Sequence, residues 1–217
     1  MMKYTRFPLG PLWTNSYLVW DASGDGFLVD PAGDAAEILS FARENSIVVR
    51  AVLLTHGHLD HVGGLPELLE KNASPVYIGE GDAEMLRSPD QNAAEWMGYD
   101  FKGIRNFFTL RDGEQLPVGA MSVSVLETPG HTPGCVCYHV SESSDTGEET
   151  LLLSGDTLFA RSVGRTDLPG GNGERLHESL IRLAALPDTL RVLPGHGPET
   201  TIGAERIHNP FWPEDKA

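Results

Sequence analysis

The segment from Thr55 to His61 constrains this chain more than any other, because it places four potential metal ligands within six residues. These are His56, His58, Asp60 and His61. The segment directly follows an apolar run, Val48 to Leu54, that predicts a buried strand. In extended geometry His56 and His58 point the same way, while Asp60 and His61 turn into the next helix. One loop can therefore supply ligands to two metal ions, and imidazole with carboxylate suits Zn²⁺.

Three further candidate ligands lie in loops that adjoin other predicted strands. His131 lies in a turn braced by proline and glycine. Asp156 follows a strand predicted at Leu151 to Leu153, and His196 follows one predicted at Arg191 to Leu193. A single histidine at a strand end is more often structural than a ligand. Several such loops that converge from one layered fold instead indicate a shared metal site.

Strands and helices are interspersed along the whole chain without a long linker or a low-complexity stretch. Strands are predicted at residues 17–20, 27–29, 48–54, 75–78, 121–126, 135–140, 151–153 and 191–193, and helices at 34–45, 65–69, 172–186 and 200–207. Residues 80–97 are predicted to be helical with an irregular middle, 141–149 to form an exposed hairpin tip, and 158–173 to form a long glycine-rich loop. Both halves run from strands into a helix and then into a histidine-bearing loop. This pattern predicts an α/β fold of two sheets packed face to face with helices outside, as a single domain over residues 1–217.

The charge balance limits the classes of partner. The chain has 31 Asp and Glu against 16 Lys and Arg, which gives a formal net charge of −15. Such a field repels phosphate backbones and anionic membrane surfaces and attracts metal cations. We therefore expect a small-molecule substrate and no nucleic-acid or membrane partner. The oligomeric state is not predicted by these residues.

The cysteines and the N-terminal residues bear on the cellular compartment. Cys135 and Cys137 are too few for a disulfide framework and are expected to pack in the core. The first residues lack the apolar stretch of a signal peptide. These observations predict a cytoplasmic protein.

The H-x-H-x-D-H loop, the later single histidine, the strand-end aspartate and the G-H-G near the end resemble the metallo-β-lactamase fold superfamily, over residues 52–197. The resemblance implies a four-layer αββα sandwich and a metal-dependent hydrolase. The loop Gly164 to Gly171 resembles the glyoxalase II-like and persulfide dioxygenase branches. True β-lactamases of the family usually lack the aspartate that corresponds to Asp156, and they are therefore disfavoured.

The same resemblance implies two divalent transition-metal ions per chain, with zinc as the first expectation and iron or manganese as alternatives. It assigns His56, His58 and His131 to one ion, Asp60, His61 and His196 to the other, and Asp156 to a bridge between them. The ions then lower the pKa of a shared water, whose hydroxide attacks the substrate carbonyl. Asp60 orients this hydroxide and is the predicted catalytic residue. A thioester such as S-lactoylglutathione suits this centre, because a metal stabilises the departing thiolate.

The substrate and the reaction class have alternatives. Glyoxalase II carries a C-terminal helical extension for glutathione, whereas only 21 residues follow His196 here, so we expect a permissive thioester hydrolase. Arg165 is a candidate for binding a substrate carboxylate, although a structural ion pair with Asp167 is the simpler expectation. The main alternative is a mononuclear iron persulfide dioxygenase, which in its family uses the positions of His56, His131 and Asp156. The last alternative is a metal-binding protein without catalysis.

Overall fold

The computed structural model describes residues 1–94, 98, 101–144 and 147–213, and its strands form two large sheets. The first sheet contains, in spatial order, β1 (Lys3–Leu9), β2 (Thr14–Trp20), β3 (Asp25–Val29), β4 (Val48–Leu54), β5 (Val76–Gly79) and β6 (Phe108–Leu110). The second sheet has the order β14, β13, β10, β9, β8, β7. Its strands are β7 (Gln115–Val118), β8 (Met121–Glu127), β9 (Val136–Ser144), β10 (Gly147–Gly155), β13 (Arg191–Pro194) and β14 (Thr200–Thr201). A small hairpin of β11 (Leu158–Phe159) and β12 (Ser162–Val163) follows β10.

Strand direction determines where the loops meet. Strands β3 to β6 are mutually parallel, so the chain leaves β3, β4 and β5 at one edge of the first sheet. Strand β10 is parallel to β13, so the chain leaves both strands at one edge of the second sheet. The backbone N–H of Val136 donates to the carbonyl of Thr55, which joins the two sheets at this edge. The loops that follow these five strands therefore converge there.

Helices cover the outer faces of the two sheets. They are α1 (Ala36–Glu44), α2 (Leu59–Val62), α3 (Leu65–Lys71), α4 (Ala83–Arg87), α5 (Gly173–Ala184) and α6 (Ile202–His208). Two single 3₁₀ turns, Glu80–Asp82 and Pro89–Gln91, flank α4. Asn172 caps α5 as predicted, because its side chain accepts a hydrogen bond from the backbone N–H of Arg175.

The buried apolar side chains form three clusters that match the predicted αββα order. Val19 and Phe27 belong to the cluster between the two sheets, where they are packed with residues of the second sheet such as Val123. Their neighbours along β2 and β3, such as Leu18, join α1 and α3 in an outer cluster. The third cluster joins the outer face of the second sheet to α5, for example through Leu180. Side chains alternate between the two faces of each strand, as expected for sheets that are buried on both sides.

Several elements differ from the sequence prediction. Strands β1, β6, β7 and β14 lie outside the predicted strand ranges, and the predicted loop at 158–173 contains the β11–β12 hairpin. Residues 80–97 were predicted to be helical with an irregular middle. In the structure, α4 ends at Arg87, because Pro89 cannot continue the helix. Residues 95–97 of this predicted region lie outside the described ones, as do residues 145 and 146 of the predicted hairpin tip. The single-domain organisation of residues 1–217 stays a prediction.

Within the described residues, none of the helices has the length and apolar character needed to cross a bilayer.

Candidate metal centre

The structure brings all seven predicted metal ligands together at the edge where the loops converge. His56 and His58 follow β4, and Asp60 and His61 lie in the short helix α2. The remaining ligands come from the turn between β8 and β9, from the end of β10 and from the end of β13. They are His131, Asp156 and His196.

Three imidazoles form what we call the first subsite: His56, His58 and His131. Their ligand nitrogens all lie within 4.8 Å of one another. Nδ1 of His58 is 3.0 Å from Nε2 of His131. All three residues are buried, so a cation held here would be shielded from solvent.

Asp60, His61 and His196 form the second subsite, with their ligand atoms also within 4.8 Å of one another. Oδ2 of Asp60 lies 3.2 Å from Nε2 of His196 and 3.6 Å from Nε2 of His61. The side chain of His196 is 28% exposed, whereas that of His61 is fully buried. This subsite is therefore open to solvent on the side of His196.

Asp156 contacts both subsites. Its Oδ1 lies 3.2 Å from Nε2 of His61, and its Oδ2 lies 3.6 Å from Nε2 of His131 and 3.5 Å from Nε2 of His196. The backbone at Gly195 passes so close that a Cβ there would collide with Oδ1 of Asp156. The glycine of the G-H-G motif thus makes room for the carboxylate that the two subsites share.

The donor atoms fit divalent metal ions. His56 Nε2, His61 Nε2 and Asp156 Oδ1 are buried and have no hydrogen-bond partner among the described residues. Unpaired buried polar atoms are rare and costly, and cations bound in the two subsites would satisfy all three. Imidazole nitrogens with carboxylate oxygens are also the donor set that zinc and iron accept.

The other ring nitrogen of three ligands is held by a hydrogen bond. Nδ1 of His131 donates to the carbonyl of Arg165 at 2.7 Å, and Nδ1 of His56 lies 3.2 Å from Oγ1 of Thr55. Nδ1 of His61 donates to Oδ2 of Asp30 at 2.8 Å. These contacts leave Nε2 of each ring free to ligate, which is the usual arrangement around a protein-bound metal.

Asp30 was missed by the sequence analysis. Besides His61, it accepts hydrogen bonds from the backbone N–H and the hydroxyl of Thr55, at 2.8 and 2.6 Å. Its backbone is left-handed, with φ +49°, which an aspartate tolerates better than most residues. The signal was present, because Asp30 directly follows an apolar strand just as Asp156 does.

Burial favours the neutral form of two ligands of the first subsite, His58 and His56. It lowers the pKa of His58 to about 4, and the adjacent His131 adds to the effect. Burial also lowers the pKa of His56, with further contributions from the neighbouring imidazoles. Neutral imidazole is the form that binds a metal.

In the second subsite, neighbouring charges outweigh burial in setting the pKa values of His61 and Asp60. Burial opposes a charge on His61, but the carboxylates of Asp156, Asp60 and Asp30 outweigh it and raise the pKa of His61. Burial also opposes ionisation of Asp60, yet His61 and His196 hold the pKa of Asp60 below its usual range. Without a metal, a proton on His61 balances part of this negative charge, and a bound cation would take over that role.

A cleft of about 490 Å³ opens onto both subsites. Its lining includes His58, Asp60, His131, Asp156 and His196 together with the apolar residues Leu12, Ala93, Phe159, Val163 and Leu168. Arg165 is the one lysine or arginine among its described lining residues. The cleft therefore combines the metal ligands with mainly apolar walls.

The side chain of Arg165 is paired with Asp167. Its Nε and Nη2 donate to the two carboxylate oxygens of Asp167 at 2.6 and 2.8 Å, and both side chains are exposed. The structural ion pair is thus confirmed, and the binding of a substrate carboxylate stays a prediction. The backbone carbonyl of Arg165 orients His131, a contact that no sequence pattern predicts.

Cys135 and Cys137 are both buried and free. Burial raises the pKa of the Cys137 thiol to about 11 and that of Cys135 well above its ordinary value. Both are protonated packing residues rather than ligands, as predicted.

Residues 9–196 match the Metallo-beta-lactamase superfamily. The chain is 37% identical to the probable metallo-hydrolase YqgX of Bacillus subtilis, over 97% of each protein. It is 32% identical to the hydroxyacylglutathione hydrolase GloC of Haemophilus influenzae, over 97% of this chain and 98% of GloC.

Solved structures give the same result. The BLEG-1 B3 metallo-beta-lactamase superposes with a TM-score of 0.87 at 34% identity, covering 96% of this chain and 99% of that one. The structure of TTHA1623 in a di-iron-bound form superposes with a TM-score of 0.83 at 38% sequence identity, covering 95% of this chain and 99% of that one. The structure of ETHE1 from Myxococcus xanthus superposes with a TM-score of 0.77 at 29% sequence identity, covering 96% of this chain and 83% of that one. With its αββα layers and its histidine-rich centre, the chain belongs to the metallo-β-lactamase superfamily of metal-dependent hydrolases.

Proposed function

We propose that this protein is a glyoxalase II-like, dinuclear metal-dependent hydrolase that cleaves S-lactoylglutathione or another small thioester. The main support is the position of Asp156, which lies within 3.6 Å of imidazole nitrogens from both subsites. A carboxylate shared in this way would help to hold one cation in each subsite at one end of the cleft. The reaction adds the oxygen of water to the thioester carbonyl carbon, breaks the C–S bond and releases a carboxylic acid and a thiol.

The residues of the cleft have distinct tasks in this proposal. Two divalent ions held by the seven ligands would supply hydroxide near neutral pH and polarise the thioester carbonyl. Asp60 lines the cleft, and its Oδ2 accepts a hydrogen bond from Oγ1 of Thr14 at 3.3 Å, which restricts the carboxylate. Phe159 packs edge-on against the ring of His196, with 6.0 Å between centroids, and so holds that imidazole at the cleft rim.

Two observations support a thioester as substrate. GloC is named a hydroxyacylglutathione hydrolase, and the match spans 98% of its length. The apolar walls of the cleft favour a substrate with an uncharged acyl or thiol portion. The positive charge of Arg165 at the cleft rim is already neutralised by Asp167. We therefore expect a permissive enzyme that accepts small thioesters beside S-lactoylglutathione.

The test combines metal analysis with a substrate panel. The purified protein, reconstituted separately with Zn²⁺, Fe²⁺ and Mn²⁺, is assayed on S-lactoylglutathione, a small uncharged thioester and a β-lactam. We expect about two ions per chain, thioester hydrolysis, and a KM for S-lactoylglutathione above the common range of about 1 μM to 1 mM. The β-lactam is included because BLEG-1 is named a β-lactamase. Cleavage of the β-lactam alone would contradict the proposal.

The persulfide dioxygenase is the second candidate, because the chain superposes on ETHE1, a neighbour of that class, at 29% identity. Iron must be tested for a separate reason, since TTHA1623 is known in a di-iron-bound form. This reading predicts one iron per chain and oxygen consumption with glutathione persulfide. The hydrolase reading predicts two ions and no oxygen consumption. Oxygen-electrode measurements on the iron-loaded protein distinguish the two.

A further inference from the structure

Asp82 is a fully buried carboxylate that the proposed chemistry does not use. It ends the 3₁₀ turn that follows β5, at the same sheet edge as the metal centre. Its Oδ2 accepts hydrogen bonds from the backbone N–H of Gly57 at 3.0 Å and from Oγ1 of Thr132 at 2.6 Å. Its Oδ1 accepts one from the backbone N–H of Gly134 at 2.7 Å.

These three donors belong to the two loops that carry the first subsite. Gly57 lies between His56 and His58, and Thr132 directly follows His131. The donors are about 25 and 50 residues from Asp82 along the chain, so no local turn accounts for the contacts. A single carboxylate thus joins the two loops that supply all three ligands of the first subsite.

The turn that carries Asp82 is packed backbone to backbone against the His131 loop. A Cβ on Gly134 would collide with the backbone nitrogen of Asp82, and one on Gly79 would collide with the carbonyl of Gly134. A Cβ on Gly81 would lie 2.8 Å from the carbonyl of Pro133. The carboxylate is therefore held in a tight, dry contact, where its hydrogen bonds are strong and their loss is expensive.

We propose that Asp82 is a positioning residue that sets the distance between the two ligand loops and thereby the metal affinity of the first subsite. In the second subsite, His61 is instead contacted directly by Asp30. Residues that orient metal ligands typically change affinity by about 10- to 100-fold when replaced. The inference rests on the metal-binding part of the proposed function and not on the substrate.

The test measures Zn²⁺ affinity one subsite at a time, by competition with a chromophoric chelator. In a His196→Ala background, which disables the second subsite, Asp82→Asn should raise the Kd for Zn²⁺ by about 10- to 100-fold. In a His58→Ala background, which disables the first subsite, the same change should alter the Kd by less than about threefold. Because only the metal is measured, the result is independent of whether the protein cleaves thioesters.

Asp21→Asn is the matched control. Asp21 is a buried carboxylate that likewise accepts several hydrogen bonds, from Ser23, Asp25 and Ala120, but it lies in the β2–β3 turn and contacts neither ligand loop. The Asp21→Asn change should leave the Kd for Zn²⁺ unchanged in both the His196→Ala and the His58→Ala backgrounds. An equal change for Asp82→Asn in both backgrounds, no change in either, or the same change for Asp21→Asn would overturn the proposal.

A second variant applies if Asp82→Asn does not fold. Thr132→Val removes one of the three hydrogen bonds and keeps the carboxylate and the side-chain shape. In the His196→Ala background it should raise the Kd for Zn²⁺ by several-fold, and an unchanged Kd would contradict the positioning role.

Discussion

The two metal subsites are built from the same loop but differ in burial and in support. The first has three buried imidazoles on two loops that Asp82 joins through their backbone and Thr132. The second contains a carboxylate, is open at His196 and is supported by a direct contact from Asp30 to a ligand. Because burial and rigid support both slow the release of a cation, we expect the first subsite to hold its metal longer. The second subsite is the more exposed to solvent of the two, through the side chain of His196.

Replacing the ligand common to both subsites should have the largest effect. Asp156→Asn removes the charge that both subsites share, so thioester turnover should fall by more than about 10³-fold, or roughly 4 kcal/mol of transition-state stabilisation. Steady-state kinetics and metal analysis test this. If only one ion is lost and turnover remains, Asp156 belongs to one subsite, which would contradict its shared role.

A change confined to the second subsite should come next. Asp60→Asn removes a charge and an orienting acceptor beside His61 and His196, so kcat should fall by at least about 10²-fold while the fold is kept. Circular dichroism provides the control for folding. Unchanged turnover in a folded variant would exclude the catalytic role of Asp60.

The difference in burial predicts unequal metal release. His196→Ala should leave about one ion per chain, and in the unmodified protein a chelator should remove one ion at least about tenfold faster than the other. Stopped-flow chelation followed by metal analysis measures both rates. His58→Ala is the reciprocal variant and should abolish the slow phase, whereas loss of the fast phase would reverse the order that we assign.

The smallest effect is expected at the cleft rim. Arg165→Ala removes a guanidinium that Asp167 already pairs, and it keeps the backbone carbonyl that orients His131. Exposed ion pairs contribute little, so kcat/KM for S-lactoylglutathione should change by less than about threefold. A low-micromolar KM that is lost in this variant would instead show that Arg165 binds a glutathione carboxylate.

The metal ligands could be found from sequence because each lies in a short local pattern. The segment from His56 to His61 is dense in ligands, and Asp156 and His196 each follow an apolar strand. The layers were predictable for a similar reason, since apolar runs such as Val48–Leu54 give strands and the spacing of Leu176, Leu180 and Leu183 gives an amphipathic helix. These features depend on neighbours in the chain.

The support around the ligands could be predicted only in part. Asp30 shares the strand-end pattern of Asp156 and could have been identified by the same rule. Asp82 offers no such signal, because its hydrogen-bond partners are about 25 and 50 residues away. Strand β1 was missed because it alternates partly buried with exposed residues at a sheet edge and has few apolar ones.

The apolar walls of the cleft come from segments that contribute no metal ligand. Leu12 lies between β1 and β2, Phe159 lies in β11, and Leu168 lies in the loop before α5. The apolar cleft lining and the candidate metal ligands are therefore encoded at separate positions, so substitutions can change the lining while the ligands are kept. A combinatorial library at Leu12 and Leu168 would vary the cleft wall and leave the seven metal ligands unchanged, which makes this scaffold a convenient starting point for directed evolution.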